Sequence, residues 1–399
     1  MNIRDLVQVA CKMSDQDPVP WEDYSYQISE VILPSGITSI GDHAFYNCRY
    51  LEEIQIPDGV TRIGYSAFGD CRFLHDIVIP DSVSIIEERA FEFCQSLNSI
   101  TIPANIDNIA NLTFFECTSL ESVTLPDRIT SIGNGAFWNC GELTDFSLPS
   151  SVTRIGDYAF SDCSSLNYIS LPDGLTTIGN SAFFSCYGLE SITIPTSVSW
   201  IGDTAFYDCN LTSIQVASEN LNYSSQDGVL FNKNETKLIL VPSLKEGTYE
   251  IPASVTSIND TAFSGCIFLT GIIIPNSIEQ IDEYMFSGCG GLTNVLIPDS
   301  VTRIGYQAFY ECSSLLDITI PASVTDIGFD AFGSCYSMTS ISVSILQYMA
   351  YRLPVHMNSL LIIIFRLKTA PYSLSLTQIH QKYSLMNLDT TISSRTNVP

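Results

Sequence analysis

The motif Leu-x-x-Ile-x-Ile-Pro-x-x-Val-Thr-x-Ile-Gly-x-x-Ala-Phe-x-x-Cys recurs down this chain with a fixed step of 23 residues. Prolines mark the step at Pro34, Pro57, Pro80, Pro103, Pro126, Pro149, Pro172 and Pro195, then at Pro252, Pro275, Pro298 and Pro321. Cysteines repeat it at Cys48, Cys71, Cys94, Cys117, Cys140, Cys163, Cys186 and Cys209, then at Cys266, Cys289, Cys312 and Cys335. A period of about 20–29 residues defines a solenoid, in which one unit cannot bury its apolar side and stacking supplies the core. Length alone would suggest two or three globular domains; the repetition instead predicts one elongated domain over residues 24–343.

One period shows the physics. From Pro126 to Leu148, the apolar residues Ile129, Ile132, Ala136, Phe137, Cys140, Leu143, Phe146 and Leu148 fall at positions that recur as apolar in neighbouring units. The segment Leu143–Leu148 ends in strict alternation, with Phe146 and Leu148 inward and Ser147 outward, as in a short strand. Stacking such strands at ~4.8 Å per coil predicts a parallel sheet along one face, and about 13 coils give a rod of roughly 60 Å. Proline then ends the strand by removing a ladder donor. The β-branched Val-Thr-x-Ile portion predicts a second short strand.

The residue after the glycine is Asp or Asn in seven of the twelve units: Asp42, Asn111, Asn134, Asp157, Asn180, Asp203 and Asp260. Preceding Ala-Phe, this column reads as the N-cap of one short helical turn. The cysteine column matches no local metal pattern. Side chains one coil apart, at ~4.8 Å, exceed the ~3.8 Å Cβ separation usual for a disulfide. The cysteines therefore read as reduced, small hydrophobes in the core.

The string Ile-x-Ile-Pro-x-x-Val-Thr-x-Ile-Gly-x-x-Ala-Phe-x-x-Cys, seen in Ile192–Cys209 and with small variations in Val295–Cys312 and Ile318–Cys335, resembles the BspA-type leucine-rich repeat, also called the Treponema pallidum type. The resemblance spans about four fifths of the chain. It implies an α/β solenoid: a right-handed superhelix, strand-rich with short helical turns, and a parallel β-sheet along one face. It also implies a cell-surface adhesin or ligand-binding role as an alternative to an intracellular one. Two units depart from the pattern: residues 108–114 lack both the glycine and the alanine, and Met285 replaces the alanine before Phe286.

Register slips between Pro195 and Pro252, where one residue is missing after Cys209 and Ala217 stands in place of proline. An irregular coil carrying a hairpin is expected at about 217–251, with residues 228–231 and 237–241 flanking the turn Asn232-Lys233-Asn234-Glu235. Residues 1–23 are expected to cap the first coil. Residues 344–399 match no repeat and are expected to be a poorly ordered tail.

The chain carries a net charge of −26, unevenly placed. Residues 1–344 hold 12 basic and 42 acidic side chains, a net of −30, while the last 55 residues carry +4. So acidic a body repels nucleic acid and anionic membrane and favours basic or neutral partners. The first residues, with Arg4, Asp5 and Lys12, lack the apolar run of a signal peptide, and no stretch approaches the ~18 apolar residues of a membrane span. The chain as written reads as cytoplasmic and monomeric, with the cell surface as the alternative implied by the resemblance.

Four histidines, His43, His75, His356 and His380, are scattered, and no phosphate-binding loop follows a strand. No catalytic residue, cofactor or metal site is assigned, and the chain reads as a non-enzymatic scaffold. The candidate partner-binding face is the outward side of the main strands: Glu52, Glu53, Gln55, Asp76, Asn98, Glu121, Asp145, Asn167, Tyr168 and Glu190. Its expected partner is a protein, with a glycoconjugate as the alternative ligand and a structural spacer without ligand as a third reading.

Overall fold

The computed structural model describes residues 22–343. The expected tail at 344–399 and all but the last two residues of the expected N-terminal cap lie outside the described residues. The chain forms two compact units. Unit 1 runs to Lys245 and includes Ser257–Ser264, whereas unit 2 takes Glu246–Thr256 and the chain from Gly265 onward. Both are strand-rich and parallel. Among the described residues the only helical element is a 3₁₀ segment, Glu22–Gln27.

Unit 1 is built from two kinds of short strand. The first kind carries the alternating motif: Glu30–Ile32, Glu53–Gln55 and Asp76–Val78 pair in parallel, with Val31, Ile54 and Ile77 in register. Ser99–Thr101 pairs with Ser122–Thr124, Asp145–Ser147 with Tyr168–Ser170, and Ser191–Ile194 with Ser213–Val216. The central residue points into the core in all but one of the three-residue strands, while its neighbours face water. Alternation places one side chain in the core and the next outside, so register between coils is fixed by burial. The second kind is the two-residue Val-Thr-x-Ile strand. It forms a parallel sheet from Asn108–Ile109 through Ser131–Ile132, Arg154–Ile155 and Thr177–Ile178 to Trp200–Ile201.

The Ala-Phe segment corrects the sequence expectation, because it is not helical. In residues 133–140, local bonds run from Ala136 N to Gly133 O (3.3 Å), Trp138 N to Gly135 O (3.1 Å) and Cys140 N to Phe137 O (3.2 Å). They alternate with bonds to the next coil, from Gly135 N to Asp157 O, Phe137 N to Ala159 O and Asn139 N to Ser161 O, each 2.8 Å. Gly135 and Asn139 have φ of 58°, and the equivalent Tyr158 and Asp162 have 56° and 59°. A right-handed helix needs negative φ at every residue, so alternating left-handed residues exclude it. What they gain is a second hydrogen-bonded ladder between coils, which satisfies buried backbone groups.

The Asp/Asn column has a different task from the N-cap expected of it. From Asn111 to Asn180 each Oδ1 accepts the backbone N–H of the same position one coil on: Asn134 N on Asn111 (2.8 Å), Asp157 N on Asn134 (2.9 Å), Asn180 N on Asp157 (2.8 Å) and Asp203 N on Asn180 (3.0 Å). The preceding glycines allow this close stacking. A Cβ on Gly179 would collide with the Gly156 backbone of the previous coil.

Between the two ladders lies the core. Phe45, Phe68, Phe91, Phe114, Phe137, Phe160, Phe183 and Phe206 form one column of nearly parallel rings, with centroids 5.3–5.6 Å apart. Among the described residues the twelve repeat cysteines form no disulfide. They are more than small hydrophobes, since Cys140 Sγ donates to Phe114 O (3.2 Å) and Cys163 Sγ to Phe137 O (3.1 Å), each in the preceding coil. A thiol is compact enough for the core yet still offers a weak donor. Burial pushes the thiols of Cys140 and Cys163 up, and that of Cys289 to about 12.

The repeat breaks after Cys209. Tyr223–Gln226 runs antiparallel to Val229–Asn232, which runs antiparallel to Lys237–Leu240. The first turn is Asp227-Gly228, with φ of 51° and 78°, an arrangement that suits a two-residue hairpin. Asn220 is fully buried here and saturated: its amide donates to Pro195 O and Val198 O, and its Oδ1 accepts from Asn222 N and Tyr223 N. Lys237–Leu240 then returns to parallel pairing with Ser257–Ile258.

Unit 2 repeats the same scheme. Gly247–Glu250, Leu269–Ile273 and Asn294–Leu296 make one parallel sheet. Gln280–Ile281, Arg303–Ile304 and Asp326–Ile327 make another. Phe286, Phe309 and Phe332 stack with centroids 5.1 and 5.3 Å apart. Met285, in place of alanine, is buried.

Candidate functional site

The ten candidate residues are all exposed on the strand side of unit 1. Register brings some of them together. Glu53 lies between Glu30 and Asp76, and Gln55 between the exposed Ile32 and Val78. Asp145 sits beside Tyr168, whose ring is 60% exposed. Glu52, Asn98, Glu121, Asn167 and Glu190 stand one residue before their strands, where backbone bonds align neighbours: Glu121 N on Asn98 O (2.9 Å) and Asn167 N on Thr144 O (2.8 Å). The ten therefore share one face, spread along its length without converging on a point.

The electrostatics of this face are one-sided. From Glu30 to Gln215 its outward positions carry acids and no Lys or Arg. Glu53 and Asp76 stand side by side, and none of the candidate acids forms an ion pair among the described residues. Like charges at neighbouring positions of a ladder destabilise it modestly.

On the turn side the chain displays something that sequence reasoning missed. Phe93, Phe115, Trp138 and Tyr158 form a continuous row of rings, with centroids 5.1–5.3 Å apart. Trp138 Nε1 donates to Asp162 Oδ2 at 2.9 Å. Reading the two columns after each core Phe, once the coil register was fixed, would have revealed Phe93, Phe115 and Trp138, but not Tyr158, which stands two residues before Phe160.

Nothing catalytic assembles among the described residues. His43 lies on the turn side between Tyr46 and Tyr65, while His75 is exposed on the strand side. Among the described residues no group of three His, Cys, Asp or Glu side chains could hold a metal ion. No helix among them is long and apolar enough to cross a membrane. A depression lined by Glu88, Asn111, Asn134 and Arg154 lies beside the coil in which Ala110 replaces the glycine.

Stacked parallel coils with an open strand face define a repeat scaffold. The model of the BspA type leucine rich repeat region, of 6 copies, matches residues 23–144, 130–246 and 242–351, and the chain belongs to this family. A leucine-rich repeat protein from Bacteroides ovatus is 30% identical, with 79% of each chain covered and a TM-score of 0.54. A leucine rich cell surface protein from Faecalibacterium prausnitzii is also 30% identical, with 84% of each chain covered and a TM-score of 0.48. The pneumococcal vaccine antigen PcpA is 23% identical, covering 77% of this chain and 68% of its own, with a TM-score of 0.45. No curated protein matches the sequence.

Proposed function

We propose that this chain is a non-enzymatic recognition scaffold that, as a monomer, docks a partner protein on the strand face of unit 1. One observation carries this reading. An ordered, solvent-facing row of polar side chains from Glu53 to Glu190 holds several acids, no Lys or Arg, and no internal ion pair. The rigid backbone ladder beneath fixes these groups before a partner arrives, which lowers the ordering cost of association. Uncompensated carboxylates steer a basic partner toward the face and select against acidic ones. Tyr168, exposed and flanked by Asp145, is the aromatic anchor. The coils wind in the right-handed sense, on the general rule for crossovers between parallel strands of one sheet.

A photo-reactive phenylalanine analogue at position 168, compared with the same analogue at the exposed Asn108 on another side, tests the assignment. The expected result is a protease-sensitive adduct at 168 only, lost when Glu121, Asp145 and Glu190 are replaced by their amides. Equal adducts at both positions would remove the face from consideration. An adduct that survives protease and yields to glycosidase would transfer the site to a glycoconjugate ligand.

A further inference from the structure

On the turn side of unit 1 the position before the repeat cysteine holds an acid on every second coil, at Asp70, Glu116, Asp162 and Asp208, a step of 46 residues. The first of these is already occupied, and it shows what the position binds. Asp70 Oδ2 pairs with Arg49 at 3.1 Å, and Asp70 Oδ1 with Arg72 at 2.6 Å. The Arg49 guanidinium also lies 5.4 Å from the centroid of the Tyr26 ring. Carboxylate plus aromatic face is the pairing that guanidinium favours.

At the other three acids the two arginine positions hold Gln95 and Thr118, Gly141 and Ser164, and Tyr187 and Asn210. None is cationic. Each acid is instead fixed through one oxygen: Glu116 Oε2 accepts from Asn139 (2.9 Å), Asp162 Oδ2 from Trp138 and Ser161 (both 2.9 Å), and Asp208 Oδ2 from Ser185 and Tyr187 (2.9 and 2.8 Å). Among the described residues the second oxygen of each accepts no hydrogen bond and the acid forms no ion pair. The ring row of Phe115, Trp138 and the 44%-exposed Tyr158 runs through the coils of Glu116 and Asp162, and Tyr187 stands against Asp208.

We propose that this turn face is a second interaction surface, which takes an extended arginine-bearing peptide of a partner protein. Its guanidiniums pair with Glu116, Asp162 and Asp208 and lie against the Phe115–Trp138–Tyr158 rings and, at Asp208, against Tyr187, repeating between chains what Arg49, Asp70 and Tyr26 do within one. Two coil steps span about 10 Å. Three residues of extended or polyproline-II chain cover roughly 9–10 Å, so arginines three apart match the acid spacing. The net charge of −30 over residues 1–344 supplies the steering field. This surface is separate from the strand face, so either can fail without the other.

Fluorescence anisotropy of the full chain with a labelled peptide of four Arg-Pro-Pro repeats tests the proposal, with an isomer carrying its four arginines in one block as control. The spaced peptide should bind at least about tenfold more tightly than the block isomer. Glu116→Gln with Asp162→Asn should cost at least about tenfold, while Glu121→Gln with Asp145→Asn on the strand face should change affinity less than about twofold. An asparagine at 162 keeps an acceptor for Trp138 Nε1, and an unchanged melting temperature confirms that the fold is intact. Equal losses in the two double variants, equal affinity for the two peptides, or binding of neutral oligosaccharides in preference to either would overturn it.

Discussion

On the strand side of unit 1, coils are joined mainly through backbone pairing, and outward side chains such as Asp145, Tyr168 and Ser170 take no part in it. On the turn side the side chains are part of the join. Asn134 receives the Asp157 N–H, and Cys163 donates to the Phe137 carbonyl. The difference teaches where this repeat is free to vary. Strand positions can exchange their outward residues at little structural cost, which suits recognition. Turn positions are more constrained, because many of their side chains, the alternate acids and Trp138 among them, hydrogen-bond from coil to coil.

The contrast can be broken in several ways, and the largest expected effect is with pH. Burial raises Cys71, Cys94, Cys117, Cys140, Cys163, Cys186 and Cys289 in the folded chain, Cys289 to about 12. Unfolded thiols ionise near ~8.5, so above that pH the unfolded chain holds fewer protons and stability falls as pH rises. The contribution is complete below ~8.5 and is lost progressively toward about 12, with each thiol adding ~1.4 kcal/mol per pH unit to the slope. Thermal melts between pH 7 and 10 should show a steep alkaline fall, whereas a flat profile would mean that the thiols are not buried donors.

Next in size is Phe137→Ala, which opens the ring column and should cost about 3–5 kcal/mol in denaturant unfolding. Asn134→Ala, which strands the Asp157 N–H, should cost about 1 kcal/mol, while Asn134→Asp, which keeps the acceptor, should be near neutral. Equal costs for the two would contradict the ladder. Smallest is Tyr168→Ala on the strand face, expected within about 0.5 kcal/mol of wild type.

Much of the fold was legible because the 23-residue step projects each side chain onto a fixed position of the coil. Phe137, Cys140 and Phe146 announced themselves as core, and Ser147 as outward. The Asn134 column was misread because its partner lies 23 residues away, and a cap and an inter-coil acceptor need the same residue types. Left-handed Phe93, Tyr158 and Asp162 left no trace, since nothing in such residues advertises positive φ. The strand-face candidates followed from alternation alone. The turn-face acids repeat every second coil, a period of 46 that emerges only once the coils are stacked.

Native-state hydrogen exchange tests most directly the claim that the turn side is bonded from coil to coil as firmly as the strand side. The amides of Phe114, Phe137 and Phe160, each 2.8 Å from the alanine carbonyl of the next coil, should be protected to within about tenfold of those in Asp145–Ser147. Rapid exchange at these phenylalanines while the strand amides stay protected would contradict it.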